Sequence, residues 1–300
     1  MHQAEPAQSI FPGSIGILVG ATWILLVMMS AVRAAETDAN VNKIRIEYFD
    51  PDPPDPTLRR VYELAKERRP LERMQEIFSA FRLPIEVTLR TGSCRGMANA
   101  WWQRPAVTVC YEYLNEILQL LPEETTPDGV TRDDALIGQV FYTFFHEMGH
   151  AMFDLFAVPM FGNAESAADG FAGYLILQFG REPARRLITG AAYSYNRYVH
   201  SPEVNAPLKA FSDIHGAPAQ RFYNLLCLAY GADPTLFADL VDKRYLPKER
   251  AIHCKSEYDQ VAFAFQEIIA PHLDQQLARQ VLDKKWLSEV KAPDLSRDRP

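Results

Sequence analysis

Three residues near the middle of the chain have the types and the spacing of a metal-dependent hydrolytic site. His146, Glu147 and His150 form the pattern H-E-x-x-H within FYTFFHEMGHAMFDLF. Four residues turn an α-helix by about 400°, so both imidazoles lie on one face, where they can bind a tetrahedral zinc ion. Glu147 lies about 100° around the helix from His146 and can reach a water at the open position of the metal. The pattern predicts hydrolysis by a metal-activated water, with Glu147 as general base.

The alternative is that this pattern occurs on a helix by chance. Large apolar residues surround it on nearly the whole girth of the helix predicted over 132–154, which indicates a central, buried helix. Ionisable groups in such a helix are costly unless they are paired or bind a cation. Thr131, three residues before Asp134, resembles a capping box and predicts where the helix begins. The context therefore favours a metal site.

A catalytic zinc ion needs a third protein ligand and an open fourth position. Fifteen residues after His150 comes Glu165, and Asp169 follows it at i, i+4 on a second predicted helix, 164–179. E-x-x-x-D after H-E-x-x-H resembles the glutamate-type zinc peptidases. That resemblance implies that Glu165 is the third ligand and that Asp169 hydrogen-bonds His146. The alternatives are exchanged roles for the two acids, or two solvated surface acids.

A longer resemblance is more specific. HEMGHAMFDLFAVPMFGNAESAADGFA is similar to the signature of a bacterial "putative metallopeptidase" family, whose activity is largely uncharacterised. Three further stretches match its pattern, and together they cover most of residues 40–270: SCRGMANAWW…VTVCYEYL (93–114), SDIHGAPAQRFYNLLCLAYGADP (212–234) and HCKSEYDQV (253–261). Ala164 departs from the pattern where relatives often have a second acid, which supports Glu165 as the required carboxylate. The resemblance implies a zinc-dependent peptidase that binds one Zn²⁺ and acts on proteins or peptides.

The resemblance also implies residues that bind the substrate. In zinc peptidases the strand before the active-site helix is a sheet edge that pairs with the substrate backbone. The segment AVTVC (106–110), approached through Asn99–Ala100–Trp101, is the candidate, so the expected edge residues are Asn99, Trp101, Val107 and Val109. The alternative is that 106–110 is an interior strand.

The resemblance further implies that a His, Tyr or Arg after the metal ligands stabilises the oxyanion. His215 is the first choice for this role and Arg221 the second. A buried Arg–Asp pair that holds the fold together is the alternative for Arg221.

The remaining elements predict an α+β fold, and the resemblance implies that it is of the zincin type: a small N-terminal mixed sheet with helices, a mostly α-helical C-terminal lobe, and an active-site cleft between them. Apolar alternation and helical spacing predict the following elements: strands at 41–49, 84–90 and 106–110, and helices at 57–68, 71–81, 111–121, 132–154, 164–179, 183–199, 217–230, 234–243, 255–270 and 274–290. The stretch between 90 and 106 is predicted to be a turn-rich loop.

Composition limits the other possibilities. The 300 residues are 48% hydrophobic and 23% charged, which is typical of a folded globular chain and argues against disorder. The net charge of −7 gives no basic field for nucleic acid, which is not expected as a partner. A catalytically silent relative, which keeps the metal as a structural or binding module, is the alternative function; the presence of Glu147 favours the enzyme.

The N-terminus and the cysteines indicate export. Residues 15–32 are uncharged and mostly apolar, so residues 1–34 form a signal peptide cleaved after Ala34 or an uncleaved anchor, which would be the only membrane contact. The protein would then be periplasmic or secreted. Four cysteines permit three pairings, of which the nearest-neighbour one closes short loops, and four buried thiols are the alternative. The cysteines are Cys94, Cys110, Cys227 and Cys254.

One domain is expected after this segment. It would cover residues 35–300, with an N-lobe at about 40–154, a C-lobe at about 155–272 and a helical tail at 273–300.

Overall fold

The computed structural model of the protein describes residues 43–200 and 212–287. In these ranges a four-stranded sheet and its helices precede a helical region, which confirms the predicted α+β class. The elements, in chain order, are β1 (Ile44–Tyr48), α1 (Pro56–Arg68), α2 (Pro70–Phe78), β2 (Val87–Gly92), β3 (Ala100–Gln103), β4 (Ala106–Cys110), α3 (Tyr111–Leu120), α4 (Arg132–Leu155), α5 (Ala164–Leu177), α6 (Arg181–His200), α7 (Pro218–Ala232), α8 (Ala238–Asp242), α9 (Lys248–Ala264) and α10 (Gln275–Asp283). A π-helical turn, Phe265–Ile269, and a 3₁₀ turn, Ala270–His272, follow α9.

The sheet has the strand order β1-β2-β4-β3. β1, β2 and β4 are parallel, whereas β3 runs antiparallel to β4 and forms one edge. β4 therefore lies inside the sheet, and all five of its residues are buried. The prediction that 106–110 is an edge strand is wrong, because β4 pairs with β2 on one side and with β3 on the other. Burial along the whole strand is typical of an interior position. The sequence analysis does not predict β3, because its four residues lie inside a stretch rich in turn residues and are too few to form a clear pattern.

The long helix α4 is the centre of the helical packing. Thr131 caps its N-terminus as predicted, since the Thr131 hydroxyl accepts from the Asp134 amide at 3.0 Å and donates to the Asp134 carboxylate. α6 crosses α4 in close contact, because a Cβ at Gly138 would lie 2.6 Å from backbone atoms of α6. A buried ion pair from Arg186 to Asp134 (2.8 Å) joins the same two helices. α4 is thus fixed along its N-terminal half before the H-E-x-x-H residues begin.

Aromatic rings fill the space between α4 and its neighbours. Phe145 contacts Phe78 of α2, Phe141 one turn earlier on α4, and Phe179 after α5, with ring centroids 5.5–6.0 Å apart. Phe145 therefore joins α4 to α2 and to the segment that follows α5.

Both disulfides follow the nearest-neighbour pairing, so the alternative of free thiols is wrong. Cys94–Cys110 joins the β2–β3 loop to the end of β4, and Cys227–Cys254 joins α7 to α9. The β2–β3 loop is also held by Glu112, whose carboxylate accepts from the amides of Cys94 and Gly96. Two disulfides are consistent with an oxidising compartment.

The predicted N-terminal segment 1–34 lies outside the described residues, and the domain boundaries stay predictions. Within 43–200 and 212–287, no helix combines the length and apolar character needed to cross a bilayer. The predicted helix at 274–290 is shorter in the structure, because α10 ends at Asp283, and the chain beyond it places Trp286 in the core.

Candidate metal centre

Two helices bring three potential ligand atoms to one point. His146 and His150 of α4 approach each other with their Nε2 atoms 3.2 Å apart. Oε2 of Glu165, in the first turn of α5, lies 3.1 Å from the first of these nitrogens and 3.2 Å from the second. His146, His150 and Glu165 form a three-residue cluster that could hold a metal ion. Tetrahedral zinc with bonds of about 2.0–2.2 Å separates its ligand atoms by about 3.3–3.6 Å, close to the observed spacing.

The hydrogen bonding of His146 tests whether a cation fits. A carboxylate can only accept, so the Nδ1–H of His146 donates to Asp169 Oδ1 at 2.7 Å. In the neutral ring Nε2 then carries a lone pair that points at Glu165 and His150. Burial works to lower the pKa of His146, but the hydrogen bonds to Asp169 and Glu165 outweigh it and raise the pKa to about 9. The cluster therefore attracts positive charge, and its imidazole and carboxylate donors are those that zinc prefers.

A buried ion pair holds Asp169 beside the cluster. Arg221 of α7 donates two hydrogen bonds to Asp169, from Nε at 2.8 Å and from Nη2 at 2.6 Å. Burial works to raise the pKa of Asp169, but the hydrogen bonds from His146 and Arg221 prevail and lower it to about 2. Asp169 thus stays ionised and fixes the orientation of the His146 ring. The contacts of Arg221 match the ion-pair alternative for this residue.

Glu147 differs from the other buried acids of the site. Its side chain lines the cleft and is buried, and no residue in the described ranges donates a hydrogen bond to its carboxylate. Burial raises the pKa of Glu147, and the charges of His146 and His150 oppose this only in part. The carboxylate is therefore available to exchange a proton with a molecule in the cleft.

His215 approaches the cluster from the loop before α7. Its Nδ1–H donates to Asp213 Oδ1 at 2.9 Å, and its Nε2 lies 3.3 Å from Glu165 Oε2. The backbone amide of His215 donates to the same Asp213 oxygen, which fixes the loop. The structure thus brings His215 to the open side of the cluster, where it is partly exposed to solvent.

A cleft of about 530 Å³ opens over the cluster between the sheet and the helical region. Asn99 and Ala100 form its wall on the side of the sheet, at the start of the edge strand β3. Trp101 lies on the opposite face of that strand and lines a separate cavity. Val107 and Val109 are buried in the interior strand β4. Of the four predicted edge residues, the structure brings only Asn99 to the cleft.

Sequence analysis missed polar residues that line the cleft beside the cluster. Gln139 and Thr143 precede Glu147 at intervals of four residues, so the three form one stripe on α4. Gln139 Nε2 donates to the Tyr113 hydroxyl at 2.9 Å, and that hydroxyl contacts the Thr143 hydroxyl at 3.1 Å. The repeated spacing of polar residues on an apolar helix was the signal that could have found them.

A side pocket of about 220 Å³ adjoins the cleft. It shares Tyr113, Gln139 and Arg221 with the cleft, whereas its deeper wall includes Ile117 and Leu121 of the N-terminal region. The cleft therefore continues from the polar cluster into an apolar recess.

Comparison with known proteins adds one finding. The sequence model of the family DUF4344, described as "Putative metallopeptidase", matches residues 51–269, which is more than two thirds of the chain. No curated protein and no solved structure matches the chain. The match confirms the resemblance found in the sequence and implies a peptidase that uses a metal.

Proposed function

The chain belongs to this putative metallopeptidase family, and we propose that it is a zinc-dependent peptidase with Glu147 as its general base. The observation that carries the proposal is the convergence of His146, His150 and Glu165 within 3.2 Å of one another beside a cleft. These three residues would hold the zinc ion. A zinc ion supplies a Lewis acid that polarises a carbonyl and lowers the pKa of a water molecule.

Glu147 would move the protons of the reaction. Its carboxylate takes a proton from the attacking water and gives it to the amine nitrogen that leaves when the peptide C–N bond breaks. The raised pKa of Glu147 suits both transfers, because it brings the acid and the base forms closer in free energy at neutral pH.

His215 would stabilise the negative charge that develops on the carbonyl oxygen. Asp213 holds His215 through two hydrogen bonds, one from the ring Nδ1–H and one from the backbone amide. Nε2, which lies 3.3 Å from Glu165 Oε2 on the open side of the cluster, is the ring atom that would donate to the oxyanion. The second oxyanion candidate, Arg221, is proposed instead to position Asp169, since two of its nitrogens are bound there.

The substrate would be a protein or peptide bound along β3. Among the described residues no strand pairs with the outer side of β3, to which an extended chain could add as a further strand. Asn99 and Ala100 would contact the substrate where this strand meets the cleft. The side pocket would accept an apolar side chain of the substrate next to the cleaved bond.

The enzyme would act in the cell envelope or outside the cell. Two disulfides and the uncharged segment 15–32 support this location. Whether that segment is cleaved or remains as an anchor would decide between a released and a membrane-bound form.

Glu147→Gln in the full chain tests the proposal. The amide keeps the shape of the side chain but cannot accept the proton, so cleavage of unfolded casein should fall by about 10²–10⁴-fold or more. Bound zinc, measured by elemental analysis, should stay near one per chain. Glu67→Gln, on the exposed face of α1, is the matched control and should leave both values unchanged.

Two results would contradict the proposal. One is a zinc-loaded wild type that cleaves neither casein nor a quenched peptide library. The other is cleavage by wild type that survives complete removal of zinc by a chelator.

A further inference from the structure

An apolar tip projects from the surface beside the cluster. It consists of Met160 and Phe161 in the α4–α5 loop together with Ile214 in the loop before α7, and their exposed fractions are 42%, 106% and 65%. Phe161 is thus as exposed as it would be in an extended chain. Exposure of this kind places apolar side chains directly in water. Several adjoining residues of this kind mark a surface that contacts another molecule or a membrane.

The tip is firmly connected to the helices of the site. Ala157, in a left-handed conformation, ends α4, and Asn163 caps α5 by accepting from the amide of Glu165. The side-chain amide of Asn163 also donates to the carbonyl of Ile214, which joins the two loops. The tip therefore has a fixed position relative to the three-residue cluster and to His215.

The composition around the tip differs from that around other exposed apolar residues. From Leu155 to Ala164 the chain has no charged residue. By contrast, Ile252 and Phe263 of α9 are exposed as single residues on a helix with exposed Lys255 and Asp259. Single exposed apolar residues among charged ones are ordinary on protein surfaces, whereas a protruding segment without charged residues is unusual.

The shape and the sequence favour a lipid surface as the occupant. A convex tip with a fully exposed phenylalanine has the form of an element that enters a bilayer interface, rather than a groove that receives a peptide. Residues 15–32 are apolar enough to anchor the chain, and the ten residues 33–42 that follow can span at most about 33–36 Å. An anchored chain would hold its domain close to the membrane.

We propose that Met160, Phe161 and Ile214 insert into the surface of a phospholipid bilayer. The contact directs the cleft toward polypeptide that lies at the membrane surface. A bilayer of zwitterionic lipid is sufficient for this contact, because none of the three tip residues is basic and the neighbouring Asp213 is acidic. This proposal does not depend on catalysis and would stand for a chain that binds metal without cleaving peptides.

The test places a fluorescent reporter at the tip of the full chain. All four native cysteines are in disulfides, so Ile214→Cys and the control Phe263→Cys each offer one thiol for an environment-sensitive dye. With phosphatidylcholine vesicles that contain a spin-labelled lipid, quenching should be severalfold stronger at position 214 than at 263. Adding Met160→Ser and Phe161→Ser to the Ile214→Cys chain should reduce quenching to the level at 263.

Three outcomes would overturn the proposal. The first is equal quenching at the two positions, and the second is quenching at 214 that the two serines leave unchanged. The third is a lipid-free dimer that the two serines convert to a monomer, which would assign the tip to self-association. Thermal unfolding provides the folding control, since substitutions at two exposed positions should leave the unfolding midpoint close to that of the wild type.

Discussion

The two sides of the three-residue cluster are built differently. On the buried side, His146 is 6% exposed and is held by Asp169, which Arg221 holds in turn. On the cleft side, His215 is 41% exposed and lies on a loop, with Asp213 as its partner. The buried side fixes a proposed ligand, whereas the cleft side leaves groups free to meet a substrate.

The difference follows from the cost of burying charge. A buried carboxylate such as Asp169 is stable only with strong partners, so its environment must be complete in the folded protein. An exposed pair such as Asp213 and His215 is solvated by water and contributes little to stability. We therefore expect substitutions on the cleft side to change activity alone, and those on the buried side to change metal affinity and stability.

His215→Gln should have the largest effect after Glu147→Gln. Loss of one oxyanion donor typically lowers kcat by about 10²–10³-fold, and the proposed role predicts a decrease of that size. Zinc content and the thermal midpoint should stay near their wild-type values, because His215 is on a partly exposed loop. The measurements are steady-state kinetics on a quenched peptide, elemental analysis and thermal unfolding. A variant that loses zinc along with activity would show that His215 is itself a ligand.

Asp169→Asn should affect metal binding more than the chemical step. The amide can still accept from His146 but carries no charge, and loss of such a supporting partner typically lowers metal affinity by about 10–100-fold. The substitution also leaves Arg221 without its counter-charge, which should cost about 3–5 kcal/mol of stability. Competition with a zinc-binding dye and chemical denaturation measure the two effects. If the folded variant bound zinc as tightly as the wild type, the buried side would not control metal affinity, which would contradict the proposed difference between the two sides.

Asp128→Asn should have the smallest effect and serves as a reference away from the cluster. The Asp128 carboxylate accepts from Lys243 at 2.7 Å and from the Tyr245 hydroxyl, and these bonds lower its pKa. A carboxyl whose pKa is lowered in the folded state contributes stability above about pH 4, and this contribution is lost as the pH falls through the folded value. The pair is partly exposed, so the loss at pH 7 should be at most about 1 kcal/mol.

The pH dependence separates this variant from wild type. Urea unfolding at pH 7 and at pH 3 should show a smaller acid-induced loss of stability in Asp128→Asn, with zinc affinity and activity unchanged. A change in zinc affinity or in activity would mean that Asp128 affects the three-residue cluster.

Most of the correct predictions rest on the spacing of residues that are close together in the sequence. Thr131 and Asp134 fixed the start of α4, and the i, i+4 intervals placed His146 with His150 and Glu165 with Asp169 on helical faces. The alternation of apolar residues located β1 and β2 to within a few residues. These features depend on helix and strand geometry, which is set by residues close together in the chain.

Other features needed contacts between distant segments. The edge position of β3 depends on which strands pair, and a four-residue strand has too little pattern to show this. The partner of Arg221 lies 52 residues earlier in the chain, and the link from Gln139 to Tyr113 crosses 26 residues. The side pocket and the apolar tip are surfaces formed by separate segments.

The sequence by itself determined which chemical groups this protein has and on which helical faces they lie, because helical periodicity acts over a few residues. The tertiary structure alone decided that Arg221 binds Asp169 and so extends the buried chain of contacts from His146, and that His215 lies at the cleft. The reason is that packing selects which helical faces meet, and burial then determines which charged groups must have partners.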